Sequence, residues 1–152
     1  MPDVIALIEE DHREVEELFS QFETADDAGK RAQLGERIIQ ELTIHAELEE
    51  AILYPAIKRA LPDGKALIDH ATEEHKEAER LIERLDGTDP DDSDVRQGFS
   101  RLRSSVEEHV QEEENEVLPK FEAAVSRDQL EKLGAQFDKA KQDALRILRE
   151  QG

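Results

Sequence analysis

The sequence predicts an all-α protein, an up-down four-helix bundle with an additional C-terminal helix. Apolar residues recur at helical spacing almost throughout the chain. The composition is rich in Ala, Leu, Glu, Lys and Arg, with 39% charged and 37% hydrophobic residues, a mixture that favours helix over sheet. The breaks between periodic stretches are short, so consecutive helices are expected to lie antiparallel and side by side. A chain of 152 residues is long enough for one domain with a real core, and short for two.

The first helix is expected from about Asp3 to Glu23, with Val4, Ile8, Val15, Phe19 and Phe22 on one stripe. "TADDAGK" breaks that pattern, and a second helix runs to about Leu61 with Leu34, Ile38, Leu42, Ile52 and Ala56 along its face. "LPDGK" marks a stop and a restart. The third helix spans roughly Lys65 to Leu85 and carries Ile68, Ala71, Ala78, Ile82 and Leu85. "DGTDPDDSD" is the clearest loop. Beyond it a fourth helix, from about Asp94 to Ala124, presents Phe99, Leu102, Val106, Val117 and Phe121. "SRDQ" from Ser126 reads as a capping box that opens the fifth helix, whose face is Leu130, Leu133, Phe137, Ala140, Ala144 and Leu148. Residues 1–125 thus form the bundle, and 126–152 a helix packed on it or at a partner interface.

Composition removes several functions. The net charge is −19 and no Lys/Arg-rich stretch stands out, which argues against nucleic acid and anionic membrane as partners. There is no cysteine, hence no disulfide, zinc–thiolate site or iron–sulfur cluster. The N-terminal "MPDVIALIEEDHREVEE" lacks a basic region and is periodic rather than continuously apolar, so neither signal peptide nor membrane span is expected. A cytoplasmic protein, monomeric or weakly homo-oligomeric, follows.

Each of the first four stripes then breaks its own rule. Where Leu or Ile belongs, the seam carries His12 on the first helix, His45 and Glu49 on the second, His75 on the third, and His109 and Glu113 on the fourth. A lone histidine on an apolar face is usually a satisfied core residue. Four together are another matter, and they repeat. "HAELEEAILYPAI" aligns with "HVQEEENEVLPKF" 64 residues later, and "HREVEEL" with "HKEAERL" 63 residues later. The chain reads as two related helical hairpins, each supplying His and then His-x3-Glu. Residues i and i+4 share one helix face about 6 Å apart, so each His-x3-Glu pair can serve one metal centre. A single His-x3-Glu copy would mean little in a Glu-rich helix. Two copies on the seam, each followed by a proline, favour a metal, because a buried charge is tolerated when it coordinates one.

A structural zinc site needs four ligands, and six are offered. Imidazole with carboxylate suits iron, and two bridging carboxylates suit a pair of ions. Ferritin-like di-iron bundles use Glu-x-x-His on two helices. Here Glu9-x-x-His12 is the only such pair.

The pattern, over roughly residues 3 to 125, resembles the hemerythrin-like (HHE cation-binding) family, and "EEAILYP" and "EENEVLP" match the segment after the ligand pair in bacterial members. The resemblance implies a non-haem di-iron centre, two iron ions (Fe2+/Fe3+) with an oxo or hydroxo bridge. It makes His12, His45, His75 and His109 terminal ligands and Glu49 and Glu113 bridges. Oxygen-carrying members have His-x3-His on the third helix. This chain has His70 and His75, spaced x4, which a regular helix separates by about 140° unless a π-bulge realigns them. His70 is therefore a ligand or a surface residue. Tyr54, the single tyrosine, is a further ligand or a packed, hydrogen-bonded phenol. Small oxidants (peroxide, dioxygen or nitric oxide) are the implied partners. Departure from the five-histidine pattern favours catalase-like peroxide decomposition over reversible dioxygen binding or sensing, with iron buffering without turnover as a third course. No candidate ligand lies in residues 127–150, so removing them is expected to leave the metal in place.

Overall fold

The structure, a computed structural model, describes residues 2–85, 87–89 and 92–151. Asp86, Pro90 and Asp91 of the expected third loop lie outside the described residues. Helix α1 (Val4–Thr24) starts at an N-cap, Asp3, whose carboxylate accepts from Ala6 N at 2.8 Å. Asp27 caps α2 (Ala28–Leu48) in the same way through Lys30 N. The second rod then passes through a π-helical turn, Glu49–Leu53, and continues as α3 (Tyr54–Ala60). Helix α4 (Gly64–Leu85) follows a tight reversal, and a Cβ at Gly64 would stand 2.6 Å from the Ile57 carbonyl oxygen, so only glycine lets the two rods approach this closely. The fourth rod is α5 (Ser93–Glu112), a second π turn at Glu113–Val117, and α6 (Leu118–Ala124).

Helix α7 (Arg127–Gln151) opens with the expected capping box. Ser126 Oγ accepts from Gln129 N, and Gln129 Oε1 accepts from Ser126 N, both at 3.2 Å. It lies along α1 and α2. The crossing is close. A Cβ on Gly134 would come within 2.5 Å of the Pro2 carbonyl oxygen. The described chain is thus all-α, a four-rod bundle with an added C-terminal helix. No described helix is long and apolar enough to cross a membrane.

The two π turns share one cause. In each, the residue after the wide turn bonds back five positions, Tyr54 N–H to the Glu49 carbonyl and Leu118 N–H to the Glu113 carbonyl. Pro55 and Pro119 come next. A proline has no N–H to offer and its ring crowds the carbonyl four residues back, so one extra residue is taken into the turn before it.

The apolar interior falls into two clusters. One contains Val4, Ile8, Leu53, Ile57, Phe121 and Phe137, and the other Phe19, Phe22, Ile38, Phe99 and Leu102. The polar seam residues form the layer between them.

Candidate metal centre

The structure brings His12, His45, Glu49, His75, His109 and Glu113 into that layer, all buried. Glu49 has no exposed surface and Glu113 has 2%. Two groups of ligand atoms lie within 4.8 Å of one another: His12, His45, Glu49 and Glu113 form one, and Glu49, His75 and His109 the other. The glutamates join them. Glu113 Oε1 is 3.2 Å from His12 Nε2 while its Oε2 is 3.1 Å from His109 Nε2. Glu49 Oε1 is 3.2 Å from both His45 Nε2 and His75 Nε2.

Only part of this close approach is hydrogen bonding, as between His75 Nε2 and Glu49 Oε1. Among the described residues, the buried side-chain N and O atoms with no hydrogen-bond partner are His12 Nε2, His45 Nε2, Glu49 Oε2, His75 Nδ1 and Glu113 Oε1. All five belong to this cluster. Buried polar atoms are nearly always paired, so a concentration of unpaired ones needs an explanation. Four of them, His12 Nε2, His45 Nε2, Glu49 Oε2 and Glu113 Oε1, are imidazole and carboxylate lone pairs of the kind that form the donor set of a metal ion. The residues fit one.

Behind the histidines stands a second set of acids that the sequence reading passed over. His45 Nδ1 is 2.8 Å from Asp11 Oδ2, and His109 Nδ1 is 2.9 Å from Glu74 Oε1. His12 Nδ1 is 2.6 Å from Glu114 Oε2, and His75 Nδ1 is 3.5 Å from Glu50 Oε2. Each acid adjoins a seam residue in sequence but serves a histidine of another helix. The signal was present in the repeat, as "DH" and "EH" at residues 11–12 and 74–75, and "EE" at 49–50 and 113–114. A carboxylate on the outer nitrogen fixes the tautomer and strengthens the inner one as a donor.

Burial disfavours charge on His45, but Glu49 and Asp11 outweigh it and hold the imidazole up to about 10. His109 is also buried, and Glu113, Glu49 and Glu74 push it well above the ordinary range. Burial would raise Glu49, yet His45 and the other hydrogen-bonding neighbours bring it well below the usual carboxylate value. Without metal, protons hold these groups together. A metal must displace them.

The π turn settles where Tyr54 goes. Five residues on, a regular helix would turn it about 140° from Glu49, and the extra residue restores it to the site face. Its hydroxyl is 3.0 Å from Glu113 Oε2, to which it donates, and 3.2 Å from His75 Nε2. The ring stacks on His75 with centroids 5.3 Å apart. Burial first, then Glu49 and Glu113, raise the phenol well above its ordinary value.

His70 goes elsewhere. Helix α4 is regular, so the bulge that would align it with His75 is absent there and occurs instead after Glu49 and Glu113. The His70 side chain is 65% exposed and bonds Glu112 Oε2 at 2.9 Å. Among the described residues, it connects to the buried layer through Glu74, 3.7 Å away.

A cavity of about 90 Å³ adjoins the histidines on the side away from Tyr54, with Val15, Leu42, Ala78, Ile82 and Val106 on its walls. That volume holds several water-sized molecules. Helix α7 also comes nearer than its lack of ligands implied. Phe137 is fully buried in a T-shaped contact with His45, ring centroids 6.2 Å apart, and Lys141 pairs with Asp11.

The hemerythrin HHE cation binding domain model matches residues 3–121. A DNA nickase of Nostoc sp. is 28% identical over 135 residues, 89% of this chain and 38% of that protein. An uncharacterised hemerythrin-like protein of Schizosaccharomyces pombe is 22% identical over 132 residues, 86% of this chain and 65% of that protein. The chain therefore spans less than two thirds of either relative. The crystal structure of a hemerythrin HHE cation-binding domain-containing protein of Mycobacterium kansasii, an Rv2633c homologue, superimposes with a TM-score of 0.82 at 24% identity, over 98% of this chain and 93% of that one. With a buried His/Glu cluster at its centre and a family model spanning four of its five rods, the chain belongs to the hemerythrin HHE cation-binding family.

Proposed function

We propose that the centre holds two iron ions and decomposes peroxide in the manner of a catalase. The observation that carries the reading is the pair of buried glutamates, each facing histidines of both donor groups. His12 and His45 would hold one ion and His75 and His109 the other, with Glu49 and Glu113 shared between them. Tyr54 stands on the His75 side, as a ligand of that ion or as a hydrogen-bond donor to what binds there. His70 is an outer partner, acting through Glu74. Residues 1–125 supply every ligand, and 126–152 brace one side of the site.

Such a pair, when bound, would supply two-electron redox chemistry, enough to reduce one peroxide to two waters and oxidise a second to dioxygen. The chain's own part is to admit and orient. The apolar walls of the small cavity suit a neutral molecule of peroxide size and exclude larger anions. Glu74 and Asp11 hold the imidazoles in one orientation. The nickase relative's activity is not carried over, since a net charge of −19 opposes the phosphate backbone.

Iron quantitation and an oxygen electrode test the reading. We expect two irons per chain and half a mole of dioxygen released per mole of peroxide consumed. Two irons with no oxygen evolution and a stable oxygenated form would move the assignment to dioxygen binding. Two irons with neither would leave iron buffering.

A further inference from the structure

Asp11 precedes His12 in sequence but serves the next helix. Its Oδ2 accepts from His45 Nδ1 at 2.8 Å, and its Oδ1 accepts from the Lys141 ammonium of α7. The Lys141 side chain is only 17% exposed and also lies 3.8 Å from Glu14. The repeat places Glu74 in the corresponding position behind His109, and its other oxygen faces His70 and no ammonium. Lys141 belongs to a helix outside the residues matched by the family model. Among the described residues, only one of the two halves therefore has a fixed positive charge behind its histidine–carboxylate pair.

A carboxylate bonded to a ligating imidazole strengthens it as a donor, and an ammonium on that carboxylate withdraws part of the effect. In a half-buried setting its charge is also felt directly at the metal. We infer that Lys141 is a positioning residue of the metal pair. Through Asp11 it fixes His45 and weakens its donation, so the ion held by His12 and His45 is the more easily reduced of the two. This rests on the di-iron reading.

The test uses the full-length, iron-loaded protein. Lys141→Met keeps most of the stem and removes the charge, and Lys141→Arg keeps the charge. Arg127→Met is the structural control, because it breaks the Arg127–Asp3 pair that anchors the far end of α7. We expect Lys141→Met to move one one-electron midpoint negative by the equivalent of a tenfold change in the reduced-to-oxidised ratio, 59 mV. Lys141→Arg should resemble wild type, and Arg127→Met should lower only the melting temperature. Asp11→Asn, which removes the carboxylate charge, should move the same midpoint positive, and it serves if Lys141→Met does not fold. Unchanged midpoints, a positive shift in Lys141→Met, a negative shift in Asp11→Asn, or a shift shared by Arg127→Met would each overturn the inference. A wild-type protein that binds fewer than two irons would instead overturn the di-iron reading.

Discussion

The two halves of the centre are built from one pattern and finished differently. His12 with His45 and His75 with His109 occupy equivalent places in two hairpins, each backed by an acid from a neighbouring helix. The second half has Tyr54 against it, because the residue after the first π turn is a tyrosine. The equivalent residue after the second turn is Leu118, equally buried and unable to offer an oxygen. The first half has Lys141 and Phe137 of α7 behind it, whereas Glu74 in the second half turns outward to an exposed His70. A repeat supplies two like sets of nitrogen and oxygen donors. Single residues outside the repeat's logic give the two sets different surroundings.

The largest expected effect comes from one of the two residues that both halves share. Glu49→Ala should abolish iron binding at both positions, while His12→Ala should empty one and leave the other loaded, as counted by metal analysis and native mass spectrometry. In the metal-free protein, loss of Glu49 leaves buried imidazolium without its partner, which costs roughly 3–5 kcal/mol, with water entering through the cavity drawing the value toward the lower end. Two irons retained in Glu49→Ala would end the bridging assignment.

A smaller effect isolates the asymmetry. Tyr54→Phe should leave iron content nearly intact, remove a phenolate-to-ferric absorption band and lower peroxide turnover. An unchanged spectrum would make Tyr54 a packing residue. Leu118→Tyr sharpens the comparison, since it should add a second such band if the two π turns present position 54 and position 118 alike.

The smallest effect is a pH response that the metal should suppress. In the metal-free protein His45 is held up to about 10 against an ordinary 6.5, so its contribution to stability is complete below about 6.5 and is lost as pH rises through 10. Glu49 is brought well below its usual 4.5, so its contribution is present above that value and is lost on further acidification. Thermal melts of metal-free protein should therefore fall from pH 6.5 toward 10. Iron-loaded protein, whose imidazoles are already neutral ligands, should show little of that decline, and the gap between the two should widen with pH. Parallel curves would mean that the protons are not displaced by metal.

Much of this was legible before any coordinates. Helical periodicity located five rods, because a helix buries a stripe whatever it packs against, and the capping box at Ser126 marks the start of the last. The six seam residues were conspicuous because polar groups at core positions are costly unless something binds them. The outer acids were harder. Asp11, Glu50, Glu74 and Glu114 read as ordinary members of acidic helices, and only the crossing of helices shows that each faces a histidine that is not its neighbour in sequence.

The sequence by itself determined the all-α bundle, the internal repeat and the six polar seam residues, since these depend on periodicity and residue chemistry that survive any choice of helix arrangement. Only the tertiary structure decided which of the two uncertain residues reaches the centre. His70 and Tyr54 pose the same angular problem, five residues from a seam residue on a helix with 3.6 residues per turn. The answer lay in where a π turn forms. Pro55, which can neither donate a backbone hydrogen bond nor tolerate the carbonyl behind it, puts one beside Tyr54, and α4 has no proline to put one beside His70. Tertiary packing likewise decided that α7 belongs to the site, because Lys141 lies 130 residues from Asp11 and only the crossing at Gly134 brings the two together.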